Sequence, residues 1–327
     1  MPAPVLVVGR RGQLATALQR LGPVQLRRPL LAVGRPELDL AQPAAALTQH
    51  WADLLERHQP ALVINAAAYT AVDRAETELE QAMAANGYAV GAMARGCGQQ
   101  GIPFVHLSTD YVFAGNGEVP WRPADLTEPL GVYGASKLLG EQLLRQASEE
   151  VSTQALVLRV SWVFGQQGNN FVRTMLRLAA EREELRVVAD QVGGPTSAEA
   201  IAAALLQLLE PAIANRSPVA GGSGPFPWGI HHFQGHPWVS WHGFAEAIVA
   251  QALELGLLER KPEVIPITTA EFPTPAVRPA NSRLDCSSSA QQLGLVLPAW
   301  REDLRQCLCS WRSAVAVEAS APLSPTP

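Results

Sequence analysis

The chain has 327 residues, with 25 Lys+Arg against 30 Asp+Glu and a formal charge of −5. It lacks the positive excess that holds a phosphate polymer, so nucleic acid is not an expected partner. Hydrophobic residues make up 47% and charged residues 17%, which excludes a disordered chain and allows a sizeable core.

Short apolar runs alternate with longer amphipathic ones through the first half, the pattern of parallel strands joined by crossover helices. Strands are predicted at Val5–Val8, Leu30–Val33, Leu62–Asn65, Phe104–Ser108 and Leu156–Val160. Helices are predicted at Gln13–Leu21, Ala44–His58, Thr77–Ala85, Ala89–Gln99 and Gly134–Ala147. These repeats predict an α/β protein with a Rossmann-type doubly wound parallel sheet. The second half is punctuated by proline and predicts a smaller α/β substrate domain. Its helices fall at Phe171–Arg182, Ser197–Leu209, Trp241–Leu255 and Trp300–Trp311, and its strands at Arg186–Val188, Ile230–Phe233 and Val264–Ile267. A Pro/Gly-rich stretch runs from Ser217 to Trp228. The expected division is a nucleotide-binding domain over 1–165 with returning segments at about 197–240, a mainly substrate-binding domain over 166–312, and a disordered tail over 313–327.

Gly9-Arg10-Arg11-Gly12-Gln13-Leu14-Ala15 lies between the first strand and helix. There, glycines let backbone approach a pyrophosphate and the helix N-terminus supplies N–H groups and partial positive charge. The second strand ends in Arg35 where an NAD site usually carries an acid, and Arg10 and Arg11 add charge at the same end. NADPH is therefore expected over NADH, although NADH stays open and the arginines are also readable as solvated loop residues. Asp39 is placed to accept from an adenine amino group. Asn65-Ala66-Ala67-Ala68-Tyr69 closes the third strand with small residues that leave room for a cofactor.

Tyr133 and Lys137 stand at i and i+4, hence on one helix face. A cation near a phenol favours the phenolate and brings its pKa, ordinarily about 10, toward neutrality. Thr109 ends the fourth strand, on the side where open α/β sheets bind ligands, and is placed to reach the same carbonyl oxygen. The trio suits hydride transfer, with Tyr133 protonating the oxygen and Thr109 orienting it.

The chain resembles the extended short-chain dehydrogenase/reductases and, within them, the dTDP-4-dehydrorhamnose reductase family, from Gly9 to about Trp311. The blocks that carry this are Asn65–Ala75, Leu107–Phe113, Tyr133–Glu141, Arg159–Gly165, Gly168–Leu178 and Phe272–Leu284. The resemblance implies Tyr133 as proton donor, Lys137 as its cationic partner and Thr109 as the tuning hydroxyl. It places the cofactor on Gly12, Gln13, Leu14, Asp39, Leu40, Ala67, Ala68, Tyr69 and Lys137. A deoxythymidine diphosphate sugar is implied over Thr109, Asp110, Tyr111 and Trp162, with Asn170 nearby. Epimerases and dehydratases of the superfamily often carry an acid after Thr-Asp, and Tyr111 in its place argues against elimination.

The resemblance also implies metal-bridged dimers using a glutamate on the first helix. Ala17 takes that position here, which puts both the magnesium and that dimer in question and leaves a monomer or a weak homodimer.

Arg278 is placed either to neutralise a diphosphate or to stand as a surface arginine. His231, His232, His236 and His242 cluster without a companion cysteine or carboxylate, so packing is expected rather than zinc, and no metal ligand is assigned. Trp228, Trp238, Trp241 and Trp300 are expected in packing. Asn215-Arg216-Ser217 fits a glycosylation sequon, irrelevant without secretion. Four cysteines without pairing pattern (Cys97, Cys286, Cys307, Cys309), no signal-peptide core and no membrane-length apolar run predict a soluble, cytoplasmic protein. Two rivals stay open: a reductase of another nucleotide sugar, and a non-catalytic NAD(P)-binding regulatory subunit.

Overall fold

The computed structural model describes residues 2–214 and 225–320. The sequon and most of the Pro/Gly-rich stretch, 217–224, fall outside these, as do 321–327. In chain order, β1 (Val5–Val8) leads into α1 (Gln13–Gln25), β2 (Leu30–Val33), α2 (Ala44–His58) and β3 (Leu62–Asn65). Next come α3 (Val72–Ala75), α4 (Leu79–Met83), a π-helical turn (Ala84–Tyr88), α5 (Ala89–Gln99) and β4 (Phe104–Thr109). Then follow α6 (Val132–Val151), β5 (Ala155–Val160), β6 (Val163–Phe164), α7 (Phe171–Glu181), β7 (Glu184–Val188), β8 (Val192–Gly193) and β9 (Thr196–Ser197). The remainder is α8 (Ala198–Ala214), β10 (Gly229–His232), β11 (Val239–Ser240), α9 (Trp241–Glu254), β12 (Glu263–Ile267), β13 (Asn281–Ser282), α10 (Ser287–Leu293) and α11 (Trp300–Ser320).

Six strands form one parallel sheet in the order β10-β5-β4-β3-β1-β2. Val5–Val8 and Leu62–Asn65 are buried along their whole length, because helices cover both faces. One face packs against α1 and α8 through Leu14, Leu18, Leu205 and Leu209. The other packs against α2, α5 and α6 through Trp51, Leu55, Met93 and Leu144. A separate core holds Phe164, Phe244, Ile248, Trp300 and Leu304, on β6, α9 and α11 beside the β7–β12 pair. Chain order reverses between β1 and β3, so the ligand crevice of an open sheet lies off their C-terminal ends.

Two elements differ from the sequence reading. The helix expected over Thr77–Ala85 is one short helix, α4, running into a π-turn that leads into α5. Asn86 in that turn accepts the Tyr69 N–H at 2.8 Å and donates to the Tyr69 carbonyl at 2.9 Å and Ser136 Oγ at 3.0 Å. Those tertiary bonds hold the wider turn in place. The last helix continues past Trp311 to Ser320, so 313–320, placed in the tail, are helical.

The α5–α6 layer depends on small residues. A Cβ added at Gly140 would lie 2.2 Å from the Asn86 carbonyl oxygen. Alanine at a helix interior gains about 1 kcal/mol over glycine by propensity, but a clash with backbone cannot be relieved by a rotamer change. Gly140→Ala is expected to lose about 2 kcal/mol net, read from urea unfolding, whereas the propensity term alone would raise stability.

Candidate active site

Gly9 leaves β1 with φ of +125°, a conformation that favours glycine, and a Cβ there would meet Ala15 Cβ at 3.3 Å and the Ala66–Ala67 backbone at 3.4 Å. The turn is thereby pressed against the end of β3, at the reversal of strand order. Gly12 caps α1 with no side-chain acceptor on the first-turn N–H groups and no acid in that turn. A diphosphate fits such a helix start on charge and donors. Gln13 donates to the Val163 carbonyl at 3.4 Å and accepts from Asn170 Nδ2 at 3.1 Å. Asn170 is thus joined to the nucleotide turn, while its Oδ1 caps α7. Leu14 and Leu40 are buried. Asp39 Oδ1 accepts the Ala41 N–H at 3.0 Å. Ala67 is half-buried and Ala68 exposed at the end of β3, and Tyr69 gives its hydroxyl to Glu78 at 2.7 Å.

Arg10 reaches back to Glu37 at 2.7 Å, and Glu37 also faces Arg57 at 3.6 Å. Arg35 is exposed at the end of β2, and among the described residues no ion pair involves it or Arg11.

Tyr133 and Lys137 fall in the first turns of α6, beside the end of β4. The same stripe continues four residues on to Glu141, a carboxylate buried with Arg159 of β5. Arg159 Nε and Nη2 donate to it at 3.0 and 2.6 Å, Arg159 Nη1 donates to the Pro123 carbonyl at 3.1 Å, and Ser108 Oγ donates to Glu141 Oε1. α6 is thereby pinned to two strands at once. Thr109 Oγ1 donates to Asp110 Oδ1 at 3.0 Å and accepts the Tyr111 N–H at 3.2 Å. The Tyr111 and Tyr133 rings meet edge-on, 5.5 Å between centroids. The structure brings Thr109, Asp110, Tyr111, Tyr133 and Lys137 to one place.

The electrostatics differ from the expectation in one respect. Burial, reinforced by the Asp110 charge, pushes the Tyr133 phenol up to about 12, with the Thr109 hydroxyl opposing. Lys137 is pushed down to about 8 by burial, against the pull of Glu141. Lys137 Nζ is directed at the Leu107 carbonyl, 2.6 Å away, and at His106 Nε2, 3.3 Å away. The phenol therefore keeps its proton at neutral pH, as a donor must.

Trp162 adopts φ of +45° and stacks on Trp241 with centroids 3.6 Å apart. Arg278 holds Asp73 bidentately at 2.9 and 2.7 Å, so its charge is already matched by a carboxylate. Two of the four clustered histidines face carbonyls: His231 that of Pro227 at 2.8 Å and His242 that of Val264 at 3.0 Å. Among the described residues no group of three His, Cys, Asp or Glu is placed to hold a metal. Ala17 is buried in the core, a methyl group that ligates nothing, so the magnesium of the resemblance does not fit at that position. No helix of the described residues is long and apolar enough to cross a membrane. Sequence reasoning missed Asn86, His106 and the Glu141–Arg159 pair. For Arg159 the signal was one charged residue in an otherwise apolar strand.

Residues 3–313 match the family described as RmlD substrate binding domain. A dTDP-4-dehydrorhamnose reductase of Burkholderia thailandensis is 42% identical, over 93% of this chain and 97% of that protein. One of Aggregatibacter actinomycetemcomitans is 40% identical, over 93% and 97%. Among solved structures, the dTDP-4-dehydrorhamnose reductase of Bacillus anthracis in complex with NADP superposes with a TM-score of 0.80 at 30% identity, covering 95% of this chain and all (100%) of that one. A UDP-glucose 4-epimerase of Thermotoga maritima shares the fold at 16% identity and a TM-score of 0.73.

Asp110 carries a measurable cost. Its Oδ2 is buried with no hydrogen-bond partner among the described residues, and burial raises the carboxyl to about 6, the neighbouring Ser282 and Thr109 hydroxyls offsetting this only in part. A carboxyl raised on folding binds protons more tightly in the native state, so stability falls as pH rises from about 4 to 6 and then levels. Asp110→Asn removes that fall and is expected to gain on the order of 2 kcal/mol over the parent at pH 7.5, and nothing at pH 3.5. Urea unfolding at the two pH values checks both.

Proposed function

The chain belongs to the dTDP-4-dehydrorhamnose reductase family, and we propose that it reduces the C4 ketone of dTDP-4-dehydro-β-L-rhamnose to dTDP-β-L-rhamnose with NADPH. The observation that carries this is the convergence of Thr109, Tyr133 and Lys137 where the glycine turn also opens. NADPH, when bound, supplies the hydride to the carbonyl carbon. Gly9, Gly12, Gln13 and Leu14 receive its diphosphate, and Asp39, Leu40, Ala67, Ala68 and Tyr69 line the rest of its path. Tyr133 holds a proton at its phenol oxygen and gives it to the ketone oxygen as negative charge develops there. Thr109 orients that oxygen, and Lys137, one helical turn after Tyr133, stands behind the phenol. Asp110, Tyr111 and Trp162 border the sugar. Arg278 reaches a diphosphate only by exchanging Asp73 for it, a swap between two anions that suits a fork of donors.

A non-catalytic subunit has no need of the tyrosine–lysine pair, and a reductase for another nucleotide sugar is distinguished by assay. Oxidation of NADPH with substrate made in situ is expected to proceed, and Tyr133→Phe is expected to lower kcat by about 10²–10⁴ fold with the fold intact by circular dichroism. An inactive parent protein on this sugar removes the assignment. Glu37 matches Arg10, whereas exposed Arg35, like Arg11, has no ion pair among the described residues, and we assign Arg35, just after β2, to a 2′-phosphate. Arg35→Asp is expected to lower the NADPH-to-NADH ratio of kcat/KM about tenfold or more. An unchanged ratio removes Arg35 from coenzyme selection.

A further inference from the structure

A run of hydrogen bonds crosses from β3 to β4 to α6, and its direction can be read from one end. The Ala67 N–H can only donate, so the Asn65 atom 3.1 Å from it is Oδ1. Nδ2 of Asn65 then faces His106 Nδ1 at 3.2 Å, Asn65 and His106 being paired in register across the two strands. An amide nitrogen donates and does not accept, so Nδ1 is the acceptor and the single proton of a neutral imidazole sits on Nε2. The ring is neutral, since burial and the Lys137 charge hold it well below the usual histidine range. Nε2 lies 3.3 Å from Lys137 Nζ, and its N–H finds an acceptor there only when Nζ has a lone pair. The other contact of Nζ, the Leu107 carbonyl at 2.6 Å, suits amine and ammonium alike. With the ammonium, every arrangement leaves two N–H groups opposed at one of the three junctions, in a site where a buried unsatisfied donor is costly.

We propose that Asn65 and His106 are positioning residues that favour the amine of Lys137 over its ammonium, through a hydrogen-bond chain running from Ala67 N–H to Asn65, to His106, to Nζ. The lowering of Lys137 toward neutrality agrees in direction. The charged and titratable groups around Lys137 are Tyr133 one turn before it, Glu141 one turn after it and already neutralised by Arg159 of β5, and His106 and Asp110 on and after β4. Of these only His106 is within hydrogen-bond distance of Nζ. The use of this in turnover rests on the reductase reading. Once Tyr133 has protonated a ketone oxygen, an N–H bond at Nζ breaks, an O–H bond at the phenolate forms, and the amine left behind receives the Nε2–H of His106.

The chain has two lysines, Lys137 and the exposed Lys261, so a full-length sample labelled at lysine Cε and histidine ring nitrogens gives a readable spectrum without cofactor. The His106 ring, assigned by its loss in His106→Phe, is expected as the Nε2–H tautomer. Lys137 is expected to titrate at least about one pH unit below the ordinary lysine range, with Lys261 as internal comparison. In Asn65→Asp the carboxylate accepts from Nδ1–H, the tautomer inverts, and the Lys137 midpoint moves up by about one pH unit, with the alkaline fall of kcat moving alongside. In the His106→Phe background the same substitution is expected to move Lys137 by less than half as much, because the imidazole no longer carries the effect. An Nδ1–H tautomer in the parent protein, a Lys137 that titrates with Lys261, or an undiminished shift in the double variant overturns the proposal. The parent measurements decide it even if Asn65→Asp fails to fold, and an enzyme inactive on the sugar leaves them unaffected.

Discussion

The grip of Glu141 on Arg159 and Ser108 is the contact on which the site depends. Tyr133, Lys137 and Glu141 follow one another at four-residue steps along α6, so whatever fixes the third sets the rotation of the first two. Glu141 is fixed by a guanidinium from β5 and a hydroxyl from β4, the strand that delivers Thr109. Arg159 is held in turn by the Pro123 carbonyl and by the Phe113 face, 4.9 Å from the ring centroid. Neither ion reaches water, and removing either partner would strand a buried charge at a cost of about 3–5 kcal/mol. Packing alone would leave the helix free to roll by a fraction of a turn. A bidentate pair with a third donor leaves it one orientation.

The layer beneath adds a second constraint. Asn86 sits in a π-turn, bonded to both backbone groups of Tyr69 and to Ser136 one residue before Lys137. The wide turn thus ties the loop after β3, where the cofactor path runs, to the helix carrying the acid–base pair. The close approach at Gly140 brings the two helices near enough for these bonds to form.

Much of this was legible in the sequence. Five strands read directly as apolar runs because helices bury both faces of the sheet, and the glycine turn, Thr109, Tyr133 and Lys137 declared themselves by type and spacing. Less visible was whatever depends on strand order. His106 is one polar residue in a strand, and its partner Asn65 ends another; they become neighbours only once β3 and β4 are seen side by side. The same holds for Arg278, whose partner Asp73 lies 205 positions away. The π-turn escaped periodicity because its cause is a tertiary bond from Asn86 and not a local preference. The upward shift of Tyr133 escaped because spacing reports which charge is near and says nothing about how dry the surroundings are.

The position of β10 bears on how the molecule can be divided. This strand enters the main sheet beside β5 after α8 has packed on α1, although some seventy residues separate it from β5. A shortened protein ending after β6 would leave Leu156–Arg159 as a bare and largely aliphatic margin, the kind of surface that recruits a strand from another molecule. The nucleotide-binding layer is therefore not severable at its apparent end. Its outermost rung is borrowed from downstream, and an expression boundary drawn there would leave an edge open to self-association.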